Sequence, residues 1–236
     1  MILPTNFTPA LSHFLDSWNS TYRWWHPYTR EGAKWQKNYS INGTFKRLDQ
    51  FPYILRDNRW NEYQHYISVY AYKETIKDSR YIGGCSPNFD KPIINKIYGD
   101  LDPKPNEDKP AFYHLEKLRK LQKDIPTSII FTGRGFQFYI RLNQETNLKT
   151  IQKIRDWITD KYDLELDANG SPIQNSRVFR LPYTKNIKNN RWTFPVLDWM
   201  NKEEIDRISK LEKFNYCFYT PKQLISLDWI LKKVES

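Results

Sequence analysis

The segment Ile94–Pro105, with the sequence INKIYGDLDPKP, decides how this chain is interpreted. Its first half is mostly apolar and predicts a β-strand, and Asp100 and Asp102 stand at the end of that strand. Because side chains alternate along a strand, the two carboxylates point to the same face. Pro103 ends the strand, since proline has no N–H to donate to a neighbouring strand.

Two carboxylates on one face of a strand are candidates for a metal site. Their like charges repel each other, and a divalent cation between them removes that repulsion. The alternative is a pair of solvated acids where the strand leaves the sheet, since charged residues gather at the ends of elements. An isolated Asp-x-Asp does not separate these two interpretations, so the rest of the chain has to decide.

The composition of the chain excludes several classes of protein. Its 236 residues are enough for one large domain or two small ones. No apolar run approaches the length of a membrane span, and the first ten residues lack the pattern of a signal peptide. We therefore expect a soluble, cytoplasmic protein with no membrane partner. Cys85 and Cys217 are far apart and favour neither a disulfide framework nor a structural zinc site.

The charge and the aromatic content of the chain favour a nucleic acid or a nucleotide as partner. The net charge is +10, and aromatic residues make up 16% of the chain. Excess Lys and Arg attract polyanions through the release of counterions, while exposed rings stack on unpaired bases. The alternative is a basic protein whose aromatic side chains lie in the core.

The order of predicted elements indicates an α+β fold. Alternating apolar residues predict strands, and apolar residues at helical spacing predict helices. Glycines in Thr132–Gln137 predict a hairpin between two neighbouring strands. Besides the Asp-x-Asp strand, we predict strands over Tyr66–Tyr72, over Thr127–Phe131, after the Thr132–Gln137 segment as far as Leu142, and over Asp163–Asp167, and helices over Pro9–Trp18, Pro110–Lys123, Leu148–Tyr162, Glu203–Phe214 and Pro221–Val234.

Two later segments add charged residues to the candidate site. Asp167 ends the predicted strand that follows the second helix of this region, and it is the candidate third carboxylate. A basic segment without acids then contains Arg177, Arg180, Lys185, Lys188 and Arg191. Such a segment is often a solvated loop, but beside three carboxylates it would suit the recognition of phosphate.

The order of these motifs resembles that of the archaeo-eukaryotic primase superfamily, which includes the primase-polymerases of archaeal plasmids and viruses. In that family an Asp-x-Asp follows an apolar strand, as Asp100 and Asp102 do here. A hairpin of the Ser-Gly-Arg-Gly-x-His type follows, which Thr132–Gln137 matches in part. An Asp then precedes a basic residue, an apolar residue and a proline, as Asp167 precedes Arg180–Pro182.

The resemblance implies a primase-polymerase fold, in which an RRM-like antiparallel sheet of four strands carries helices on one face. An N-terminal α/β unit and C-terminal helices complete it. We expect a catalytic domain over residues 1–200, made of a basic aromatic unit over about 1–92 and an RRM-like catalytic unit over 93–200. A helical segment over 201–236 would follow. The active site would lie in the cleft between the two units.

The resemblance also implies an enzyme, a nucleotidyltransferase that acts as a DNA primase or DNA-directed polymerase in the replication of a plasmid, virus or cell. Two divalent cations, Mg²⁺ or Mn²⁺, would be held by the catalytic residues Asp100, Asp102 and Asp167. The expected partners are a single-stranded DNA template, NTP or dNTP, and a replicative helicase domain or protein. The nucleotide would be bound by Thr132, Arg134, Gln137, Arg180 and Lys185.

Two departures from the family pattern keep a second hypothesis in place. Gln137 stands where the family has His, and Thr132 stands where it has Ser. Glutamine can donate a hydrogen bond but carries no positive charge. The second hypothesis is a DNA-binding replication-initiation module with the primase fold and weak or no polymerase activity.

A nuclease that uses the same carboxylates fits the arginine-rich segment less well. The preference between ribonucleotides and deoxynucleotides stays open, as does initiation de novo.

Overall fold

The structure, a computed structural model, describes residues 23–28, 43–45, 64–77, 85–103, 110–166, 173–214 and 224–236. Over 23–28, 43–45 and 85–87 it describes the backbone alone. The described residues form an α+β fold with antiparallel sheets, so the predicted fold class is confirmed. The helix predicted over Pro9–Trp18 lies outside the described residues. Within them, no helix is long and apolar enough to span a bilayer.

The described elements, in chain order, are fourteen strands and four helices. The strands are β1 (Arg23–Tyr28), β2 (Gly43–Phe45), β3 (Gln64–Ser68), β4 (Ala71–Tyr72), β5 (Thr75–Lys77), β6 (Cys85–Pro87), β7 (Pro92–Ile93), β8 (Lys96–Leu101), β9 (Ser128–Phe131), β10 (Phe136–Arg141), β11 (Val178–Arg180), β12 (Lys185–Asn186), β13 (Arg191–Trp192) and β14 (Phe194–Pro195). The helices are α1 (Tyr113–Asp124), α2 (Leu148–Tyr162), α3 (Lys202–Ser209) and α4 (Leu227–Glu235).

One four-stranded sheet, which we call the aspartate sheet, has the strand order β14-β9-β10-β8. The pairing of β8 with β10 places Asp100 opposite Gln137 and Gly99 opposite Phe138. Because side chains alternate, Asp100 and Gln137 share one face of the sheet, and Phe138 points to the other. The hairpin predicted between β9 and β10 is confirmed, with Phe131 paired to Phe136.

Helices α1 and α2 cover the apolar face of the aspartate sheet. Both helices were predicted from their apolar spacing, and α2 has the predicted ends. Asn147 caps α2, since its side chain accepts a hydrogen bond from the Thr150 backbone N–H. Each buried leucine or isoleucine stabilises the fold by about 1.5–3 kcal/mol relative to an exposed one. The buried residues on the two helices include Leu115, Leu118, Leu121, Ile151, Ile154 and Ile158.

The strand predicted over Asp163–Asp167 is wrong for its described part, 163–166. Asp163 ends α2 with a φ of 52°, and its N–H bonds back to the Asp160 carbonyl. The Leu164 N–H likewise donates to the Thr159 carbonyl, so these donors are used by the helix end and not by a sheet. The sheet instead gains β14, which pairs with β9. Asp167 lies outside the described residues.

A second four-stranded sheet has the order β11-β3-β1-β2. Its strand β11 comes from the second half of the chain and pairs with β3, where Phe179 lies opposite Ile67 and Arg180 opposite Tyr66. This sheet therefore takes strands from both sides of the predicted boundary at 92/93. We call it the mixed-origin sheet.

Aromatic contacts join the two sheets. The Phe179 ring lies 5.1 Å from the Tyr98 ring and 5.2 Å from the Tyr139 ring, both edge-on. Tyr70 adds a ring contact of 5.9 Å to Tyr98 and donates from its hydroxyl to the Lys96 carbonyl. Tyr98 and Tyr139 stand on the same face as Asp100 and Gln137, two residues earlier on β8 and two residues later on β10. The two sheets thus contact each other next to the end of β8 that carries Asp100.

The C-terminal helices begin and end at other residues than predicted. The helix predicted over Glu203–Phe214 ends at Ser209 as α3. Of the helix predicted over Pro221–Val234, residues 221–223 lie outside the described residues, and in the described part the helix begins at Leu227 as α4, with Ser226 as its N-cap. Ile225 is extended because it forms a parallel bridge with Leu142, and its N–H donates to the Arg141 carbonyl. That bridge prevents an earlier start of the helix.

An ion pair fastens α3 to the hairpin β12–β13. Arg191 Nη1 lies 2.5 Å from Asp206 Oδ1 and 3.1 Å from Ser209 Oγ. Lys210 donates to the other oxygen of Asp206. Burial by itself would raise the pKa of Asp206, but the hydrogen bonds from Lys210 and Arg191 outweigh it and hold that pKa below its ordinary value.

We predict that Asp206→Asn lowers the free energy of unfolding near neutral pH by about 0.5–1 kcal/mol, because the site is partly solvated. The folded-state pKa of Asp206 is depressed, so its contribution is present above the unfolded pKa and is lost as the pH falls through the folded-state value. The difference in free energy of unfolding between wild type and variant should therefore shrink as the pH is lowered below about 3.9, the ordinary value for an aspartate in an unfolded chain. Urea denaturation across this range measures it. Glu212→Gln, an exposed site with the same charge change, is the control, and a gap that stays constant with pH would contradict the prediction.

Candidate functional site

A cleft of ≈ 360 Å³ opens between the aspartate sheet and the mixed-origin sheet. It lies at the end of β8, next to the aromatic contacts that join the sheets. The residues that line it are Tyr66, Asp100, Asp102, Pro103, Thr132, Arg134, Gln137, Arg180, Asn186 and Lys188. Two acids, three bases and several amide or hydroxyl groups thus face one small volume.

The two aspartates differ in their surroundings. Asp100 is still within β8, and its side chain is 17% exposed. Its Oδ2 lies 3.8 Å from Nη2 of Arg177, which stands just before β11. Asp102 follows the strand and is exposed. One carboxylate is therefore held in a partly buried ion pair, while the other reaches the open side of the cleft.

His114, on α1, contacts the backbone of Asp102. It is 1% exposed, and its Nε2 lies 3.3 Å from the Asp102 carbonyl oxygen. Burial lowers the pKa of His114, so the ring is neutral at about pH 7. Because a carbonyl oxygen can only accept, the ring hydrogen lies on Nε2 and is donated to it. Nδ1 then has no hydrogen-bond partner within the described residues. No local sequence pattern predicts this contact, because it joins α1 to a strand end.

The glycine-rich hairpin turn fits against the end of β8. A Cβ on Gly135 would lie 2.1 Å from the Leu101 carbonyl oxygen and 3.1 Å from Asp102 Oδ1. Only glycine allows this close approach of the two backbones. Thr132 closes the turn, since its Oγ1 accepts from the Gly135 N–H at 3.2 Å. Arg134 is tied to the start of α1, because its carbonyl accepts from the Ala111 N–H. The hairpin thereby sets the position of Asp102.

A second turn, between β12 and β13, lies against the first. Asn186 Nδ2 donates to the Thr132 carbonyl at 2.9 Å, and Asn186 Oδ1 accepts from the Lys188 N–H. Gly133 has a φ of 95°, and a Cβ there would lie 3.0 Å from Asn189 Oδ1. The two turns form one wall of the cleft, in which Asn186 and Lys188 take part.

Lys185, predicted to bind the nucleotide, is not among the described residues that line the cleft. It belongs to β12, opposite Trp192, and its ammonium lies 5.7 Å from the centre of that ring. The turn after β12 brings Lys188 to the cleft instead. Both lysines belong to the basic segment without acids, but strand alternation and the turn decide which of them faces the cleft.

Tyr66 and Arg180 form the opposite wall. Tyr66 is half-buried on β3, and Arg180 is 8% exposed on β11. Burial raises the pKa of Tyr66, Arg180 opposes the rise, and Asp100 and Asp102 add to it. The phenol therefore keeps its proton at neutral pH. Both carboxylates line the same cleft as Tyr66.

Hard oxygen donors meet at the aspartate end of the cleft. Carboxylate and amide oxygens are ligands that Mg²⁺ and Mn²⁺ accept. Gln137 stands opposite Asp100, is 4% exposed, and has an Oε1 without a hydrogen-bond partner among the described residues. The residues present therefore fit a divalent cation. The described ranges hold no group of three His, Cys, Asp or Glu that could form such a site alone, and Asp167 lies outside them.

The structure brings most of the predicted residues to one place. Asp100, Asp102, Thr132, Arg134, Gln137 and Arg180 all line the cleft. Tyr66, Asn186 and His114 were not among the predicted site residues. Lys188 belongs to the predicted basic segment. No sequence pattern points to Tyr66 as a site residue, because its place in the cleft depends on the pairing of β3 with β11, and its partner Arg180 is 114 residues away in the chain.

Comparison with known proteins shows a likeness of fold. No protein-family model and no curated protein sequence matches the chain. The primase-polymerase (AEP) domain of cyanophage S-2L superposes with a TM-score of 0.57 at 13% identity, over 96% of this chain and 95% of that one. The catalytic domain of primase RepB′, solved with initiator DNA, gives 0.50 at 12% identity, over 80% and 84%. A further structure of RepB′ gives 0.50 at 12% identity, over 81% of this chain and 56% of that chain.

We predict that Gly135→Ala lowers the free energy of unfolding by about 1–3 kcal/mol, because the added methyl overlaps the Leu101 carbonyl and the backbones have to separate. Chemical denaturation measures the loss. Ser128→Ala, on the neighbouring strand β9, controls for small changes in the same hairpin and should have little effect. A Gly135→Ala protein as stable as wild type would show that the close approach of the hairpin to β8 is not tight.

Proposed function

We propose that this chain, which has the fold of the archaeo-eukaryotic primase-polymerase domains, catalyses template-directed nucleotidyl transfer in DNA replication. One observation carries the proposal: Asp100 and Asp102 face the same cleft as Arg134, Arg180 and Lys188. Carboxylates suit divalent cations, and guanidinium and ammonium groups suit the phosphates that such cations accompany. If the aspartates were only solvated acids at a strand end, three cationic side chains would not be expected to face the same cleft.

Asp100 and Asp102, with Asp167 as the third carboxylate, would hold two divalent cations, Mg²⁺ or Mn²⁺. When bound, these cations would activate the attacking 3′-hydroxyl and neutralise the charge on the leaving pyrophosphate. The protein's own contribution is placement. The Arg177 guanidinium holds Asp100 from one side, and His114 holds the Asp102 backbone.

The triphosphate of the incoming nucleotide would lie along the two turns. Arg134 and Lys188 would donate to its oxygens from one wall, and Arg180 from the other. A guanidinium can donate two parallel hydrogen bonds to phosphate, which an ammonium cannot. Thr132 and Gln137 would contribute at the floor of the cleft, where Gln137 can donate from its amide but adds no charge. Lys188 would thus take the role in nucleotide binding that was predicted for Lys185.

The partners that follow are a single-stranded DNA template and NTP or dNTP, with a replicative helicase domain or protein as a further partner. The RepB′ catalytic domain was solved with initiator DNA, which supports DNA as a partner for a chain of this fold. The net charge of +10 is in keeping with a polyanionic partner.

A second candidate function is a DNA-binding replication-initiation module with weak or no polymerase activity. The observation that favours it is Gln137, a neutral side chain in the cleft at the position where the family motif has a histidine. With less positive charge at this point, the triphosphate would be held less tightly. This alternative keeps DNA binding and loses most of the incorporation.

The test is extension of a primed single-stranded DNA template, with each nucleotide type and with Mg²⁺ or Mn²⁺. We expect incorporation by wild type, and a loss of at least about 100-fold in Asp100→Asn and in Asp102→Asn, since each removes a charged ligand. Glu116→Gln, an exposed acid on α1 with the same charge change, should keep full activity. Thermal unfolding of all variants checks that they fold.

The outcomes separate the two candidates. Incorporation that persists unchanged in Asp100→Asn would overturn the proposed enzyme. Salt-sensitive DNA binding by wild type and by both variants, without incorporation by any of them, would favour the binding module.

A further inference from the structure

Arg180 is held in an unusual way for a buried cation. Its Nη2 donates to the Tyr66 hydroxyl at 2.8 Å, and its Cζ lies 4.9 Å from the centre of the Tyr66 ring. Its Nη1 is buried and has no hydrogen-bond partner within the described residues. The residue is 8% exposed and lines the cleft. One edge of the guanidinium is thus fixed, and another donor is left unused.

The Tyr66 hydroxyl is itself fixed in direction. It donates its hydrogen to Gln64 Oε1 at 2.9 Å, and Gln64 is 2% exposed. Because a guanidinium can only donate, the Arg180 bond has to be accepted by a lone pair of the same hydroxyl. The result is a chain of donors that runs from Arg180 to Tyr66 to Gln64. Burial also raises the pKa of Tyr66, so the hydroxyl hydrogen that this chain needs stays in place.

Strand register builds this arrangement without a ligand. Tyr66 lies directly opposite Arg180 in the pairing of β3 with β11, and Gln64 is two residues before Tyr66 on the same strand. Alternation along a strand therefore puts all three side chains on one face of the mixed-origin sheet. Arg177, three residues before Arg180, pairs with Asp100 instead. The two arginines thus have different partners among the described residues: Arg177 pairs with Asp100, and Arg180 bonds to Tyr66.

We propose that Tyr66 is a positioning residue that presents the free edge of Arg180 to an anionic oxygen of the bound nucleotide triphosphate. The inference rests on the proposed function and deepens it. A buried guanidinium donor without a partner is unfavourable unless a ligand supplies the acceptor, and a phosphate oxygen is the acceptor that arginine matches best. A guanidinium that is already oriented loses less conformational freedom when the ligand binds.

The test uses Tyr66→Phe in the full chain. This substitution keeps the ring beneath Arg180 and removes only the hydroxyl. Binding of a non-hydrolysable nucleoside triphosphate with Mn²⁺ is measured by calorimetry, and KM and kcat are measured in the template assay. We expect Kd and KM for the triphosphate to rise about 5- to 20-fold, the loss of one charge-assisted hydrogen bond, while kcat changes less than about threefold. Affinity for single-stranded DNA should not change.

A double-mutant cycle isolates the pair. In the background of Arg180→Lys, which keeps the charge and loses the fork, Tyr66→Phe should change triphosphate affinity less than about twofold. Gln64→Leu removes the acceptor of the Tyr66 hydroxyl and should give a smaller loss in the same direction, which keeps the inference testable if Tyr66→Phe folds poorly. Tyr162→Phe is the matched control, since its hydroxyl bonds to Asp124 on the helices and does not line the cleft.

The outcomes distinguish this inference from the proposed function. If wild type neither binds the triphosphate nor incorporates nucleotides, the proposed function fails and this inference fails with it. If wild type does both and Tyr66→Phe matches it in Kd and KM, the positioning role is overturned and the proposed function stands. A Tyr66→Phe protein that loses kcat at unchanged Kd would also overturn the positioning role.

Discussion

The antiparallel register between β8 and β10 is the constraint on which the rest of the structure depends. It sets Asp100 opposite Gln137 and Gly99 opposite Phe138. A shift by one residue would turn every side chain of β8 to the other face and move the carboxylate towards the helices. This register requires glycine at position 99, because the Phe138 and Leu166 side chains fill the space that a side chain there would occupy. A Cβ on Gly99 would lie 2.2 Å from Phe138 Cε1 and 2.8 Å from Leu166 Cδ2. Glycine here is thus a packing requirement of the sheet that carries the candidate site.

The two faces of the aspartate sheet have different roles: one packs in the core, and the other carries residues of the candidate site. Helices α1 and α2 bury an apolar surface on one face, and this burial contributes favourably to the free energy of folding. The other face carries polar groups whose burial is unfavourable unless they are paired, such as Gln137, and across the cleft Arg180 of the mixed-origin sheet likewise has a buried atom without a partner among the described residues. The ring contacts of Phe179 with Tyr98 and Tyr139 hold the sheets together beside these groups. A rigid frame can keep polar atoms unpaired in the absence of a ligand, as a binding site needs.

Strand β11 links the two halves of the chain and gives the cleft its second wall. It pairs with β3 of the mixed-origin sheet, while Arg177 just before it reaches Asp100 on the aspartate sheet. Arg180, at its end, stays with Tyr66 on its own sheet. One short segment therefore carries a cation to each side of the cleft. The cleft forms only when both sheets have folded and docked, which ties its geometry to the folding of the whole described unit.

Sequence alone determined the elements and motifs whose signals are local. Apolar spacing predicted α1 and α2, the glycines predicted the hairpin between β9 and β10, and Pro103 predicted that β8 ends near the Asp-x-Asp. Only the tertiary structure decided which residues meet. It left 163–166 outside the sheet because the end of α2 uses their backbone donors, put Lys188 in the cleft where Lys185 was predicted, and brought Tyr66 to Arg180. The physical reason is that helix and hairpin periodicity is written within a few neighbouring residues, whereas the choice of strand partner depends on free energies of pairing and packing between segments far apart in the chain.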